Sequence, residues 1–290
     1  MRIGVFGHEC KEAQLNVIKD LFEKLNMRKA EVFVQSSFFG FLQNSFGYCP
    51  QKMGTIDDSE MNLDVALSIG GDGTFLRTVL QVNKQNIPIL GINIGRLGFL
   101  ADVGCDQIDE MLDELFYGNF KVEERSLLHF ISDEHPFSGF NYALNEIAVS
   151  KRDTSLMITI HTYLNDEYLT SYKADGLVIA TPTGSTAYSM SANGPILLPQ
   201  NRNFIISPVA PHSLNVRPIV IPDDYTITLK IESRSNSFFV SLDGRAEVMP
   251  VGIVLKIEKA DFKTRLIKRY TQNFYQTLRE KLMWGADGRS

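Results

Sequence analysis

Residues 68–74 read Ser-Ile-Gly-Gly-Asp-Gly-Thr, so Gly70, Gly71 and Gly73 surround a single carboxylate, Asp72. Glycine tolerates positive φ and lets backbone N–H groups approach a ligand closely, and a helix that starts at the loop turns the positive end of its dipole toward the same point. That combination cradles phosphate. A carboxylate beside phosphates is repelled unless it accepts a proton or holds a hydroxyl or a metal ion, so Asp72 calls for one of those jobs. The bland alternative is a strand-to-helix turn in which Asp72 only caps the helix. The context favours the cradle: Val65, Ala66, Leu67 and Ile69 form an apolar run before the loop, and Phe75, Leu76, Val79 and Leu80 recur at helical spacing after it. The loop lacks both the Lys-Ser/Thr ending of a P-loop and the spaced glycines of a dinucleotide fingerprint.

Residues 175–188, Asp-Gly-Leu-Val-Ile-Ala-Thr-Pro-Thr-Gly-Ser-Thr-Ala-Tyr, form a second constellation. Hydroxyls gathered around Pro182 and Gly184 make a hydrogen-bonding turn, entered from an apolar strand and left by a short helix beginning near Ser185. Taken alone it reads equally as an ordinary Ser/Thr turn or a ligand site. Upstream, Asn145-Glu146 opens a strand with an amide and a carboxylate together, suited to a ribose diol or simply to a solvated strand end.

These residues need a scaffold, and the first part of the chain alternates strand and helix signals: Ile3 to Phe6, Glu12 to Met27, Val32 to Val34, then an irregular stretch from Ser36 to Ser59. After the glycine loop come the apolar run Ile87 to Ile92 and a helical face carrying Ile108, Met111, Leu112, Leu115 and Phe116. From about Phe120 the period shortens to strands at 127–131, 146–149, 156–163, 177–180, 204–206, 226–231, 238–242 and 253–257. Phe274, Leu278, Leu282 and Trp284 then resume a helical pattern. We expect an α/β domain over 1–120, an all-β, β-sandwich-like domain over 121–271, and a terminal helix at 272–284 that packs back on the first: two domains, α+β overall.

A length of 290 residues suits about two domains with a core in each. The net charge of -5 with both signs interspersed has no basic stripe for nucleic acid. No apolar stretch approaches the roughly 18 residues of a membrane span, and Met-Arg-Ile-Gly-Val-Phe enters a strand rather than a signal peptide, so the chain reads as soluble and cytoplasmic, without a membrane partner. The three cysteines and five histidines are scattered without metal-ligand spacing, which argues against a zinc enzyme and for reduced structural thiols.

Together, several motifs in order resemble the NAD kinase family, which phosphorylates NAD to NADP: residues 70–74; 93–99, Asn-Ile-Gly-Arg-Leu-Gly-Phe; Asn145-Glu146; Thr181 to Tyr188; Asn193-Gly194-Pro195; Pro211-His212-Ser213-Leu214; Arg217-Pro218; and the tail from Leu278 to Trp284. The resemblance implies that Asp72 takes or orients the proton of the adenosine ribose 2′-hydroxyl of NAD, with Gly71, Gly73 and Thr74 along the phosphates of ATP and Gly73 also beside NAD. It implies that Phe99 lies near the NAD adenine, that Asn145 and Glu146 grip the dinucleotide, and that Asp175 sits near the nicotinamide end. Thr183, Thr186, Ala187 and Tyr188 match the turn lining the adenosine pocket, with Ala210 close to the same groove. Lys173 stands where a basic residue accompanies a preference for NAD over NADH, although a cation beside oxidised nicotinamide needs an offset from Asp175. The implied assembly is a homodimer or homotetramer, and Mg²⁺ arrives on ATP without a protein ligand of its own.

Two features depart from the pattern. Where the family often has Asp-Gly-Gln late in the β-domain, this chain has Asp243-Gly244-Arg245, and residues 39–59 match no motif, fitting an insertion over the cleft or a surface loop. Lipid kinases of the diacylglycerol and sphingosine type carry a similar glycine loop. The 181–188 turn and Asn145-Glu146 favour NAD over that class, and the intact loop with Asp72 favours catalysis over a non-catalytic dinucleotide-binding regulator.

Overall fold

A computed structural model describes residues 1–57, 61–95, 98–153 and 156–284. Arg96 and Leu97 of the 93–99 motif, and Ser59 at the end of the stretch expected to be irregular, lie outside the described residues. The chain divides into two compact units: Met1–Glu124 with Thr264–Ser290, and Arg125–Lys263.

The first unit is an α/β layer structure. Its elements are β1 (Arg2–Gly7), α1 (Glu12–Met27), β2 (Glu31–Gln35), α2 (Ser36–Phe46), β3 (Gly54–Ile56), β4 (Val65–Gly70), α3 (Asp72–Val82), β5 (Ile89–Asn93) and α4 (Ile108–Tyr117). The strands pair in parallel in the order β3-β2-β1-β4-β5. Both faces of such a sheet are covered, which is why β4 and β5 are buried almost without a break and mostly apolar rather than alternating. Ile18, Leu21, Phe22 and Leu25 of α1, Phe38 and Leu42 of α2, and Met111, Leu112 and Leu115 of α4 pack with Val5, Leu67 and Leu90 of the sheet into one core.

Residues 36–46 correct the irregular stretch expected there. Phe38 and Leu42 lie four apart and are both buried, so the segment has a helical face, and Gly47 ends α2 in the left-handed conformation with φ 62°. Gly40 in its middle and phenylalanines at 38, 39 and 41 on more than one side of the helix hide that face from a periodicity reading.

The second unit is built from strands. They are β6 (Lys121–Ile131, which begins in the first unit), β7 (Tyr142–Ala143), β8 (Glu146–Lys151), β9 (Ile158–Leu164), β10 (Glu167–Ala174), β11 (Gly176–Ala180), β12 (Asn203–Val209), β13 (Ile219–Pro222), β14 (Ile227–Glu232), β15 (Ser237–Leu242), β16 (Arg245–Pro250) and β17 (Val254–Lys268). A 3₁₀ turn at Thr183–Thr186 and the short helix α5 (Tyr188–Ser191) follow β11. One antiparallel ladder runs β10-β9-β14-β17 and the other β13-β12-β11-β8-β15-β16. Ile160, Leu229 and Leu255 from the first ladder share a core with Val149, Ile179 and Val240 from the second, so the two sheets face each other as in a sandwich.

The end of β17 returns to the first unit, where Leu266 pairs in parallel with Ile89. The last helix, α6 (Phe274–Leu282), starts at Asn273, whose side chain accepts the Gln276 N–H as an N-cap. Leu278 and Thr277 bury its inner face. Among the described residues no helix is long and apolar enough to cross a membrane.

Candidate active site

In the first unit β4 delivers the glycine loop at its carboxyl end, and Asp72 is the first residue of α3. That is the crevice where open parallel sheets take ligands. The loop opens on a cavity of about 160 Å³ lined by His8, Cys10, Gln14, Gly70, Gly71, Thr74, Asn93 and Gly95, among others. Its size, at the N-terminus of α3, suits phosphate.

Asp72 does more than cap its helix. Its Oδ2 accepts the Phe99 N–H at 2.9 Å, and its Oδ1 accepts the N–H groups of Leu100 and Ala101, each at 3.0 Å. The 98–101 turn thus folds onto the carboxylate, and Gly98 is required there because a Cβ would collide with Asp72 Oδ1. The next residues are fixed from the far side: Lys268 Nζ donates to Asp102 at 2.6 Å and to the Leu100 carbonyl at 3.2 Å, in a pair whose side chains are 7% and 6% exposed. Asn93 closes the frame, accepting the Gly95 N–H at 2.7 Å and donating to the Ala101 carbonyl at 3.3 Å. The structure therefore brings Gly71, Asp72, Gly73, Thr74 and Phe99 together around one carboxylate of fixed orientation.

In the second unit the structure joins Asn145 and Glu146 to the hydroxyl-rich turn. Thr181 Oγ1 donates to the Leu144 carbonyl at 2.6 Å and accepts the Gly184 N–H at 3.1 Å, while the Thr181 N–H reaches the Asn145 carbonyl at 2.9 Å. Gly184 lies against Asn145 so closely that a Cβ would strike the Asn145 carbonyl. Ser185 is likewise committed internally, donating to Pro182 and accepting the Leu197 N–H at 3.0 Å. Thr181 and Ser185 are thus spent on building the turn and are fully buried, whereas Thr183, Thr186, Ala187 and Tyr188 keep partial exposure.

Lys173 at the end of β10, Asp175 before β11 and Ala210 after β12 form a third group. Asp175 N–H donates to the Val209 carbonyl at 3.0 Å, and Lys173 accepts the His212 N–H at 2.9 Å. Asp175 does not pair with Lys173 as its offset. It pairs with Lys151 at 2.7 Å, and Lys173 lines an open cavity of about 610 Å³ with Met157, Glu232 and Arg234.

Two models of protein families match the chain, the ATP-NAD kinase N-terminal domain over residues 3–120 and the ATP-NAD kinase C-terminal domain over residues 144–269. The chain belongs to the NAD kinase family. The NAD kinase of Bacteroides fragilis is 46% identical over 289 residues, spanning 100% of both chains. Among solved structures, an NAD kinase from Archaeoglobus fulgidus in complex with ATP aligns with a TM-score of 0.78 at 26% identity, over 98% of this chain and 99% of that one. Yeast NADH kinase complexed with NADH aligns with a TM-score of 0.89 over 99% of this chain and 88% of that one, at 22% identity, a likeness of fold. The two-domain expectation, α/β followed by a β-rich unit, holds at the level of this family's fold.

Sequence reading left the role of the third position of Asp243-Gly244-Arg245 in doubt, and the structure shows what the corner does. Asp243 and Gly244 take φ of 48° and 82° in the tight turn joining β15 to β16. Asp243 Oδ2 accepts the Leu144 N–H at 2.7 Å, and its Oδ1 accepts those of Asn145 at 2.8 Å and Glu146 at 3.1 Å. Arg245 adds a second anchor, donating to the Phe140 and Tyr142 carbonyls. The Asn145-Glu146 corner is thereby clipped by a buried carboxylate. Glu146 Oε2 is buried without a hydrogen-bond partner, and burial, then the neighbouring Asp243 charge, push the Glu146 carboxyl up to about 8 against the pull of the Tyr188 N–H. A carboxyl raised in this way favours its protonated form, which can donate to a ligand hydroxyl.

Proposed function

We propose that the protein transfers the γ-phosphoryl group of ATP to the 2′-hydroxyl of the adenosine ribose of NAD, giving NADP and ADP. The observation that carries this is the Asp72 carboxylate, fixed by three backbone N–H groups at the N-terminus of α3 beside Gly71 and Gly73. Ribose O2′ forms a bond to the γ-phosphorus as the bond from that phosphorus to the β-bridging oxygen breaks, and the hydroxyl proton passes to Asp72. Phosphoryl transfer is mainly positioning and charge stabilisation, and a carboxylate in hydrogen-bond reach of the hydroxyl adds about 10²–10⁴-fold. Gly71, Gly73 and Thr74 hold the donor phosphates, and Phe99 offers its ring to the adenine of NAD. Asn145, Glu146, Asp175, Thr183, Thr186, Ala187, Tyr188 and Ala210 recognise the dinucleotide.

Among the described residues no three of His, Cys, Asp and Glu gather into a ligand set. The donors at the loop are N–H groups, which suit phosphate oxygens. Mg²⁺ would arrive with ATP as part of the substrate and would supply charge neutralisation at the phosphates held by Gly71, Gly73 and Thr74.

Incubating pure protein with Mg-ATP and NAD and reading NADP with an NADP-specific dehydrogenase tests the assignment. NADP and ADP are expected in equal amounts, with a lower kcat/KM when NADH replaces NAD, as Lys173 suggests. Phosphorylation of diacylglycerol or a sphingoid base without NADP would move the assignment to the lipid kinases. The active form is a homo-oligomer, a reading supported by the strand edges of β10, β13 and β16, which two-fold pairing would cover. Light scattering on dilute enzyme read against activity is expected to show the oligomer, and a fully active monomer would refute it.

A further inference from the structure

The glycine loop supplies N–H groups but no cation. In a P-loop a lysine follows the glycines and reaches the phosphates, whereas here Gly73-Thr74 is followed by Phe75. Charge that spreads onto the transferred phosphoryl oxygens needs a positive group at close range.

We propose that Lys281, on the last turn of α6, is the phosphate-facing cation of the transfer site. Its Nζ lies 3.8 Å from Asp72 Oδ2 and 5.1 Å from the centroid of the Phe99 ring, with each of the Lys281 and Asp72 side chains 31% exposed. Nζ is within ion-pair reach of Asp72, whose oxygens also accept three N–H bonds. It stands beside the carboxylate, where in the proposed reaction the ribose hydroxyl and the terminal phosphate have to meet. The helix that carries it is tied to the same turn. Phe274 at its start packs on Phe99 with ring centroids 6.3 Å apart, and Gln272 just before it donates to the Asp102 carbonyl at 2.8 Å. A lysine in the last turn of a helix is also favoured by the helix dipole. The terminal helix thus delivers, from the far end of the chain, the charge that the loop lacks.

This inference rests on the proposed NAD kinase reaction, and the wild-type assay separates the two: without wild-type NADP formation the reaction itself fails, and the variants then decide nothing about it. With wild-type turnover, Lys281→Met in the full chain is expected to lower kcat/KM for ATP roughly ten- to hundred-fold. Its KM for NAD should stay within about twofold and its melting temperature should be unchanged. Lys281→Arg, which keeps the charge, should recover most of the loss. Isothermal titration without NAD gives an independent reading: wild type should hold Mg-ATP more tightly than ADP, and Lys281→Met should lose that margin. Three results would each overturn the proposal: kcat/KM for ATP within twofold of wild type in Lys281→Met, a loss that Lys281→Arg does not recover, or a loss that falls on NAD with a lowered melting temperature.

Discussion

Asp72→Asn is expected to lower kcat for NADP formation by roughly 10²-fold or more, since the amide keeps the shape of the carboxylate and cannot take the ribose proton. From sequence alone the substitution leaves the rest of the site intact. The structure adds a second effect. Both carboxylate oxygens accept backbone N–H bonds, one from Phe99 and two from Leu100 and Ala101. An asparagine has one acceptor oxygen, so whichever way the amide turns, its NH₂ group confronts at least one N–H donor. The 98–101 turn must then shift, and leaving a donor unsatisfied costs about 1–3 kcal/mol. The expected result is therefore a fall in kcat together with a lower urea midpoint and a raised KM for NAD, because Phe99 moves with the turn. Steady-state kinetics and equilibrium unfolding on the same preparation separate the two contributions. A variant that turns over near the wild-type rate would reduce Asp72 to a structural hub and remove the proposed chemistry.

Asp72 also marks where sequence reading succeeds and stops. The glycine loop was legible because its signal is local: three glycines and an acid between a buried strand and an amphipathic helix. The turn that grips the acid was not, because its donors are backbone N–H groups 27, 28 and 29 residues away, and a backbone donor leaves no residue-type signature. Lys281 was hidden for the same reason of distance, since an i,i+4 pattern on α6 shows which face is apolar but not what the polar face approaches.

Strands followed the same division. The buried strand β11 announces itself as an unbroken apolar run. By contrast β10 (Glu-Tyr-Leu-Thr-Ser-Tyr-Lys-Ala) and β16 (Arg-Ala-Glu-Val-Met-Pro) are edge strands with mostly polar or exposed residues, and their place is set by ladder partners rather than by their own hydrophobicity. The long β17 was recognised only at its apolar beginning, because Lys259, Asp261 and Lys263 interrupt the rest of the strand with charge.

The largest effect on stability belongs to Asp243. Its side chain holds the N–H groups of Leu144, Asn145 and Glu146 at the entrance to β8, while its own N–H donates to the Glu146 carbonyl at 3.1 Å. Asp243→Ala leaves three donors without their acceptor in a buried corner, and each buried donor left unsatisfied costs about 1–3 kcal/mol. Arg245 keeps its bonds to Phe140 and Tyr142, so the hairpin itself should survive, and the loss should appear as a lower urea midpoint with a weakened grip on NAD rather than as a change of fold. The pair also dictates a pH dependence. Burial raises both carboxyls, Glu146 to about 8 from 4.5, so the folded protein binds protons that the unfolded chain has released. The stability this confers is fully present below about pH 4.5 and is lost as pH rises through about 8. Unfolding midpoints should accordingly fall between those limits, and Glu146→Gln, which carries no titratable proton, should flatten much of the slope. Asp243→Asn should shift the remaining transition to lower pH by removing the charge that repels ionised Glu146. Identical pH profiles for wild type and Glu146→Gln would show that Glu146 is already ionised in the folded protein, and the hydrogen bond it is held to offer a ligand hydroxyl would be lost with it.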